Sequence, residues 1–197
     1  MKHIKQLLLA SFLMIFSSLV SANSYYGADH RSPAAGLAES IESLFTYLKQ
    51  NPHQDPVKIR QFVGQYLMPH FDFNRMARLV AARHFRGMTK KQKNQFASVL
   101  RHKFLKAMLS RLDSAPAGKI MYLPVKRYRR NELRFSIKIP QSRGVPAKVT
   151  FKLHNVAGQW KIFDVMAGGQ SAVVFYRKYY AFLIGINGLP HVLQSSK

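Results

Sequence analysis

Residues 159–180 read QWKIFDVMAGGQSAVVFYRKYY, and this stretch contains the transition that decides the fold. Apolar and polar side chains alternate from Gln159 to Val165, which is typical of a half-buried β-strand. Glycine adopts positive φ at little cost, so we expect the strand to end at Gly168 and Gly169. Apolar residues then recur at spacings of three and four, which predicts a helix with one apolar face. That face comprises Ala172, Phe175, Tyr176, Tyr179, Phe182 and Leu183.

Two further segments with a period of two precede this strand. In the first, Leu133, Phe135, Ile137 and Ile139 alternate with Glu132, Arg134, Ser136 and Lys138. In the second, Val149, Phe151 and Leu153 alternate with Lys148, Thr150, Lys152 and His154. Residues 140–146 form the loop between them, and Ala157-Gly158 turns the chain into the next strand. The pattern predicts an antiparallel meander with one apolar face.

Four amphipathic helices are predicted upstream of the sheet. Each opens on a residue that caps helices well, and the last opens on a capping box of the form T-x-x-Q. The predicted starts are Ser32-Pro33, Asp55-Pro56, Asp72 and Thr89. The first helix is predicted to stop at Asn51-Pro52, the second before Pro69 and the fourth at Leu112, and the third carries Phe73, Met76, Leu79 and Val80 on its apolar face. Because the helices come first and the sheet afterwards, the predicted class is α+β, with the helices packed on one face of the sheet.

The first 22 residues have the pattern of a secretory signal peptide. Lys2 and Lys5 precede an apolar run from Leu7 to Val20, and small residues follow at the expected cleavage point before Asn23. The alternative is an uncleaved membrane anchor, for which the run is short. We expect residues 23–197 to form a single exported domain. The chain has no cysteine, which excludes disulfides, thiol catalysis and lipid attachment to cysteine.

The chain is strongly basic. It has 31 Lys and Arg against 8 Asp and Glu, a formal net charge of +23. Such a surface favours anionic partners, which could be nucleic acid, lipid head groups or an acidic protein. Export makes nucleic acid the least accessible of the three, and no RNA-binding signature is present. The plainer alternative is a solvated basic exterior, as for the cluster Lys126, Arg127, Arg129 and Arg130.

Few residues suggest catalysis. The eight carboxylates are scattered, and the eight histidines lack metal-ligand spacing. Gly169-Gln170-Ser171 matches half of the G-x-S-x-G nucleophile elbow, but the second glycine is missing and a serine here more often caps a helix. We predict no enzyme activity, no cofactor and no metal. Asp164 is predicted to bond the backbone near the glycine break.

Two motifs carry a resemblance to a known family. The order W-K-hydrophobic-aromatic-D-V, G-x-S and Y-R in residues 160–177 resembles the carboxyl-terminal signature of the MlaC or toluene-tolerance family. Residues 69–109, PHFDFNRMARLVAARHFRGMTKKQKNQFASVLRHKFLKAML, resemble the helical signature of that family. The chain departs from the pattern at three positions. Gly168 replaces an acidic residue, Ala82 a glycine that ends the short helix, and Met108 a tyrosine.

The resemblance implies a curved sheet of the nuclear-transport-factor-like kind, closed by helices into a cone around an apolar cavity. It also implies a periplasmic carrier of phospholipid that helps to maintain outer-membrane lipid asymmetry. The implied partners are an inner-membrane ABC transporter complex and an outer-membrane lipoprotein complex. We expect a monomer that contacts membranes transiently and binds no nucleic acid.

The many apolar side chains support two interpretations. They could fill an ordinary core, or part of the inward surface could stay open to bind acyl chains. For the second interpretation, the candidate lipid-binding residues are Phe85, Phe104, Met108, Phe135, Ile137, Phe151, Ala172 and Val174. Two other functions stay open: a basic periplasmic scaffold without an internal ligand, and a carrier of another apolar molecule such as a hopanoid or a solvent.

Overall fold

The computed structural model describes residues 32–51, 55–110 and 118–194. Five α-helices and five strands are present in this part of the chain. The helices are α1 (Ala35–Gln50), α2 (Pro56–Phe62), α3 (Phe73–Ala81), α4 (Lys90–Leu109) and α5 (Ala172–Gln194). The strands are β1 (Met121–Arg129), β2 (Glu132–Ile139), β3 (Ala147–Val156), β4 (Gln159–Ala167) and β5 (Gln170–Ser171).

The strands form one curved antiparallel sheet in the order β1-β2-β3-β4-β5. Ala157 and Gly158 connect β3 to β4 with φ of 49° and 86°, and Gly168 and Gly169 connect β4 to β5 with φ of 56° and 78°. Positive φ at two successive residues is the requirement of a tight hairpin turn whose twist matches the strands. The predicted meander and the α+β class are confirmed.

The predicted helix starts are confirmed, within three residues for α1. Asp55 accepts a hydrogen bond from Val57 N at 2.8 Å and Asp72 one from Arg75 N at 2.8 Å. Thr89 makes the full capping box with Gln92. Helix α1 begins at Ala35, and Ser32 Oγ accepts from Ala34 N just ahead of it. The predicted end of the fourth helix, Leu112, lies outside the described residues.

The connection between α2 and α3 differs from the prediction that the second helix ends before Pro69. A π-helical turn (Val63–Leu67) and a 3-10 turn (Met68–His70) continue the coil through that proline. Proline is tolerated there because it lies in the first turn of the 3-10 segment, where its missing N–H has no helical partner. Phe71 then pairs with Ile162 in a parallel bridge, and Asp72 N donates to Ile162 O at 2.8 Å. These contacts attach the start of α3 to β4.

Ala82 follows the last residue of α3 and has φ of 47° and ψ of −115°. This is a conformation that glycine adopts easily and that a residue with Cβ adopts at a cost. The strain occurs at the position where the family resemblance leads us to expect glycine.

The core lies between the sheet and helices α1, α3, α4 and α5. Strand β4 is irregular here, because Lys152 pairs with Asp164 and Leu153 with Ile162, so that Phe163 is an extra residue. The bulge makes Ile162, Phe163 and Asp164 consecutive buried residues. Buried and more exposed side chains therefore stop alternating in the middle of β4, whereas they alternate from Glu132 to Lys138 in β2.

Candidate functional site

An aromatic row crosses the buried face of the sheet. The ring of Phe135 stacks against Tyr122 at a centroid distance of 6.2 Å and against Phe151 at 6.0 Å. Regular pairing of β2 with β3 produces this row, because Phe135 lies opposite Phe151 and Ile137 opposite Val149. Ile137 is buried on the same face. Three predicted lipid-binding residues, Phe135, Ile137 and Phe151, therefore lie together.

A second aromatic group is built by the helices. Phe104 of α4 contacts Phe71 at 5.1 Å, Phe73 at 6.0 Å and Tyr176 of α5 at 6.5 Å between ring centroids. The Tyr176 hydroxyl donates to the Lys103 carbonyl at 3.4 Å, which fixes α5 against α4. Among these four rings, only Phe104 is a predicted lipid-binding residue. Phe71 and Phe73 were not among the predicted lipid-binding residues: Phe73 was assigned only to the apolar face of the third helix, and Phe71 precedes the cap of that helix outside any apolar period.

The other two predicted residues of the helical layer lie at the edge of the core. Met108 is partly buried in the last turn of α4 and packs against the core. Phe85 belongs to the 3-10 turn Ala82–Gly87 and is also partly buried. The Lys93 ammonium lies 5.1 Å from its ring centroid. Phe85 therefore contacts a cation on one side and the core on the other.

Val174, a predicted lipid-binding residue, does not lie on the inward surface. Only Gln170 and Ser171 are extended there, and α5 begins at Ala172. Because successive helical side chains point 100° apart, Val173 turns inward and Val174 outward, where it is 47% exposed. Ala172 is partly buried and packs against the core.

The predicted apolar face of α5 is also only partly correct. Tyr176 is buried and Leu183 partly buried, but Phe175, Tyr179 and Phe182 are 56%, 37% and 65% exposed. The buried face includes Val173 and Tyr180, which the spacing did not select. The helix has apolar residues around most of its circumference, so the sequence did not determine which of them pack inward.

A buried carboxylate connects β4 to the start of α5. Asp164 is 4% exposed and pairs with the Lys152 ammonium at 2.9 Å. It also accepts from Ser171 Oγ at 2.8 Å and from Val173 N at 3.1 Å. Ser171 Oγ in turn accepts from Val174 N, so it caps the helix, as predicted. The predicted backbone bond of Asp164 near the glycine break is confirmed.

A polar network joins α3 to the sheet. Arg75 Nη1 lies 3.0 Å from His154 Nδ1, and His154 Nε2 lies 2.9 Å from an Asp72 carboxylate oxygen. Arginine only donates, so Nδ1 accepts and Nε2 carries the proton that it donates to Asp72. Arg75 also pairs with Glu132 at 2.7 Å. Burial, and then the Arg75 charge, lower the pKa of His154 below its ordinary value.

This network is structural in character, because both ring nitrogens of His154 are occupied and no free base is left for catalysis. No sequence pattern indicates this network, because the side-chain pairs that bond within it are 57 to 82 residues apart in the chain.

An open cleft of about 780 Å³ lies beside the helical aromatic group. Phe71 and Phe73 line it together with two basic side chains, Arg101 of α4 and Lys161 of β4. The Lys161 ammonium donates to Pro69 O at 2.9 Å and keeps further N–H groups for another acceptor. Arg101 makes no hydrogen bond or ion pair with other residues that the structure describes. Asp72 also lines the cleft, and its carboxylate is already bonded to Arg75 N and His154. The cleft combines an apolar wall with two cations and one such bonded carboxylate, which suits an amphiphile with an anionic group.

The described residues contain neither a cluster of metal ligands nor a membrane-spanning helix. Within residues 32–51, 55–110 and 118–194, no three histidine, aspartate or glutamate side chains are grouped closely enough to bind a metal ion. In the same part of the chain, every helix is too short or too polar to span a bilayer.

Comparison with known proteins identifies the family. Comparison with curated proteins finds no match. Among solved structures, the fold is similar to that of a phospholipid-binding protein from Ralstonia solanacearum, solved in complex with a phospholipid. The TM-score is 0.73 at 17% sequence identity, and the match covers 84% of this chain and 94% of that chain. The profile described as MlaC protein matches residues 38–196, which include both motifs quoted above, and the chain therefore belongs to the MlaC family.

Proposed function

We propose that this protein is a periplasmic carrier that binds phospholipid in its apolar interior and shuttles it between membrane complexes. The observation that carries the proposal is its shared fold with the Ralstonia protein, which was solved with a phospholipid bound. Membership of the MlaC family supports the same function. The implied partners are an inner-membrane ABC transporter complex and an outer-membrane lipoprotein complex.

The aromatic row of the sheet is our candidate surface for the acyl chains. Phe135, Ile137 and Phe151 present only carbon to the interior, and Phe104 adds a ring from the helical layer. Each buried methylene contributes about 0.8 kcal/mol, so two acyl chains supply on the order of 20 kcal/mol of gross transfer free energy. An apolar, dry surface is therefore sufficient to keep the chains out of water, and no catalytic group is needed.

The cleft beside Phe71 and Phe73 is our candidate for the head group. Arg101 and Lys161 place two cations at its wall, and an arginine guanidinium can bond a phosphate with two parallel N–H groups. A head group held there would remain near water while its chains pass towards the aromatic rings. This arrangement satisfies the phosphate charge without burying it.

Substitution of the cleft arginine tests the head-group site. Hydrogen bonds to charged groups contribute about 1.5–3 kcal/mol, so Arg101→Glu should weaken binding of an anionic phospholipid roughly ten- to a hundredfold. Lys91→Glu is the matched control, because Lys91 is an exposed cation in the first turn of the same helix. Bound phospholipid is quantified by solvent extraction and mass spectrometry of the purified variants. Equal lipid content in the two variants would remove Arg101 from the site.

Export is tested separately, because residues 1–31 lie outside the described part of the chain. Leu13→Lys places a charge in the apolar run and should leave the uncleaved protein in the cytoplasm. Cell fractionation and amino-terminal sequencing give the readout. Normal amounts of periplasmic protein beginning at Asn23 would contradict the assignment of residues 1–22 as a signal peptide.

A further inference from the structure

Helix α5 exposes a continuous apolar stripe that the packing of the fold does not use. Its members are Phe175, Tyr179, Phe182 and Ile186, at spacings of four, three and four. At 100° per residue they lie within an arc of about 60°, and at 1.5 Å per residue they extend over about 17 Å. Their exposed fractions are 56%, 37%, 65% and 64%. We call these four residues the α5 stripe.

The α5 stripe exposes more apolar area than a single apolar residue on a protein surface does. Aromatic side chains have areas of about 150–250 Å² each, so the stripe exposes on the order of 400 Å² of apolar surface. Contiguous patches of this size mark interaction sites on soluble proteins. The face of α5 that packs against the core is formed by other residues, among them Val173, Tyr176 and Tyr180.

The surroundings of the stripe are basic. Lys178 is exposed next to it, and no acidic residue occurs between Asp164 and the end of the chain. Arg177, which precedes Lys178, is also exposed. Aromatic and aliphatic side chains next to lysines are the composition of helices that lie in the head-group region of a membrane.

We propose that the α5 stripe is a docking surface for an anionic phospholipid membrane, into which its four side chains insert while Lys178 contacts head-group phosphates. A second copy of the chain is disfavoured on two grounds. The large excess of Lys and Arg over Asp and Glu makes two copies repel each other, and a stable interface needs about 800 Å² per partner, twice the area of the stripe. The proposal concerns where the protein meets a membrane and does not require that it carries a lipid inside.

Vesicle binding of purified variants tests the docking surface. Phe182→Ser/Ile186→Ser removes half of the stripe, and Val57→Ser/Val145→Ser is the matched control, because these valines are 56% and 83% exposed on α2 and in the 140–146 loop. Flotation is measured with vesicles of phosphatidylcholine and phosphatidylglycerol at 70:30 and with pure phosphatidylcholine. We expect the stripe variant to bind the anionic vesicles at least tenfold more weakly than wild type, and the control variant to bind them normally.

Companion measurements keep the outcome unambiguous. Circular dichroism and thermal unfolding show that both variants fold, and their co-purified phospholipid, extracted and quantified, reports the interior site independently. Equal binding of the stripe variant and wild type to anionic vesicles would overturn the proposal in favour of purely electrostatic contact. A wild-type dimer in sedimentation that only the stripe substitutions dissociate, with vesicle binding unchanged, would assign the stripe to a second copy instead.

Discussion

The β2–β3 ladder and helix α5 bury their apolar side chains in different ways. In the ladder every second side chain points to the buried face, so Phe135 and Ile137 are buried while Ser136 between them bonds Thr150 on the other face. In α5, buried Tyr176 follows exposed Phe175 directly, and both are apolar. The backbone assigns the faces of a strand, whereas neighbouring elements assign the faces of a helix that is apolar on most sides. This difference makes the ladder a stable core element and leaves an apolar stripe of α5 exposed.

The largest effect is expected in the ladder. Phe135→Ala removes the central ring of the aromatic row and leaves a cavity between Tyr122 and Phe151, which should lower the free energy of unfolding by about 3–5 kcal/mol. Urea denaturation measures the change. A loss below 1 kcal/mol would show that the aromatic row is loosely packed and that the β2–β3 ladder is not a stable core element.

Removal of the carboxylate that joins the sheet to α5 should have the next largest effect. Asp164→Ala leaves Val173 N and Ser171 without their acceptor and Lys152 without its counter-ion, which should cost about 2–4 kcal/mol. The variant should also protect the amides of the first turn of α5 less well from hydrogen exchange. Unchanged protection would mean that packing alone positions the helix.

Strain at the end of α3 predicts a substitution that stabilises the protein. Ala82 has positive φ, and Ala82→Gly should raise the free energy of unfolding by about 1 kcal/mol, because glycine adopts this conformation without the clash of Cβ. The same substitution at Ala81, in the regular helix with φ of −68°, should destabilise the protein by a similar amount. Both values are measured by thermal unfolding, and destabilisation by both glycines would exclude strain at Ala82.

The polar network around His154 predicts a dependence of stability on pH. Its pKa is lowered in the folded protein, mainly by burial, so the unfolded chain takes up the proton first as pH falls. The contribution of neutral His154 is therefore complete above about pH 6.5 and is lost as pH falls through the lowered pKa.

His154→Gln tests this dependence, because glutamine can donate to Asp72 and accept from Arg75 without titrating. The loss of stability between pH 7.5 and pH 5.5, measured in urea, should be smaller in the variant than in wild type. His70, whose pKa burial and Lys161 also lower, contributes in the same direction in both proteins. An identical loss in both proteins would assign the pH dependence to other groups.

The smallest effect is expected on the exposed side of α5. Phe182→Ala removes as large a ring as Phe135→Ala but should change the free energy of unfolding by no more than about 0.5 kcal/mol, because 65% of Phe182 is already exposed. A cost above 2 kcal/mol would mean that the stripe is covered within the protein, and the contrast between the two regions would disappear.

The sequence predicted those parts of the fold that local chemistry determines. The caps at Asp55, Asp72 and Thr89 form because each side chain lies within three residues of the N–H that it bonds. The turn at Gly168 and Gly169 was predictable because its positive φ values favour glycine. The bulge at Phe163 was missed, because it depends on the pairing of β4 with β3 and on burial of Asp164.

The candidate site could be predicted only in part for the same reason. Phe135, Ile137 and Phe151 follow from the period of two, and the structure brings them together. Val174 was misplaced because two residues at a spacing of two, here Ala172 and Val174, share a face in a strand but point to opposite sides of a helix. Arg101 and Lys161 are 60 residues apart in the sequence and line the same cleft only because of the tertiary fold, so no local pattern identified the cleft.

Native mass spectrometry of the protein, purified from the periplasm without detergent, shows whether this member of the MlaC family binds phospholipid. We expect a mass excess equal to one or more phospholipids, which solvent extraction recovers and fragmentation identifies. Phe135→Ala/Phe151→Ala should lower the bound fraction, and Val57→Ser/Val145→Ser should leave it unchanged. A recovered hopanoid would keep the carrier and change its cargo. A wild-type protein whose mass equals that of the chain alone, and whose extract contains no lipid, would contradict the account and favour a basic scaffold without an internal ligand.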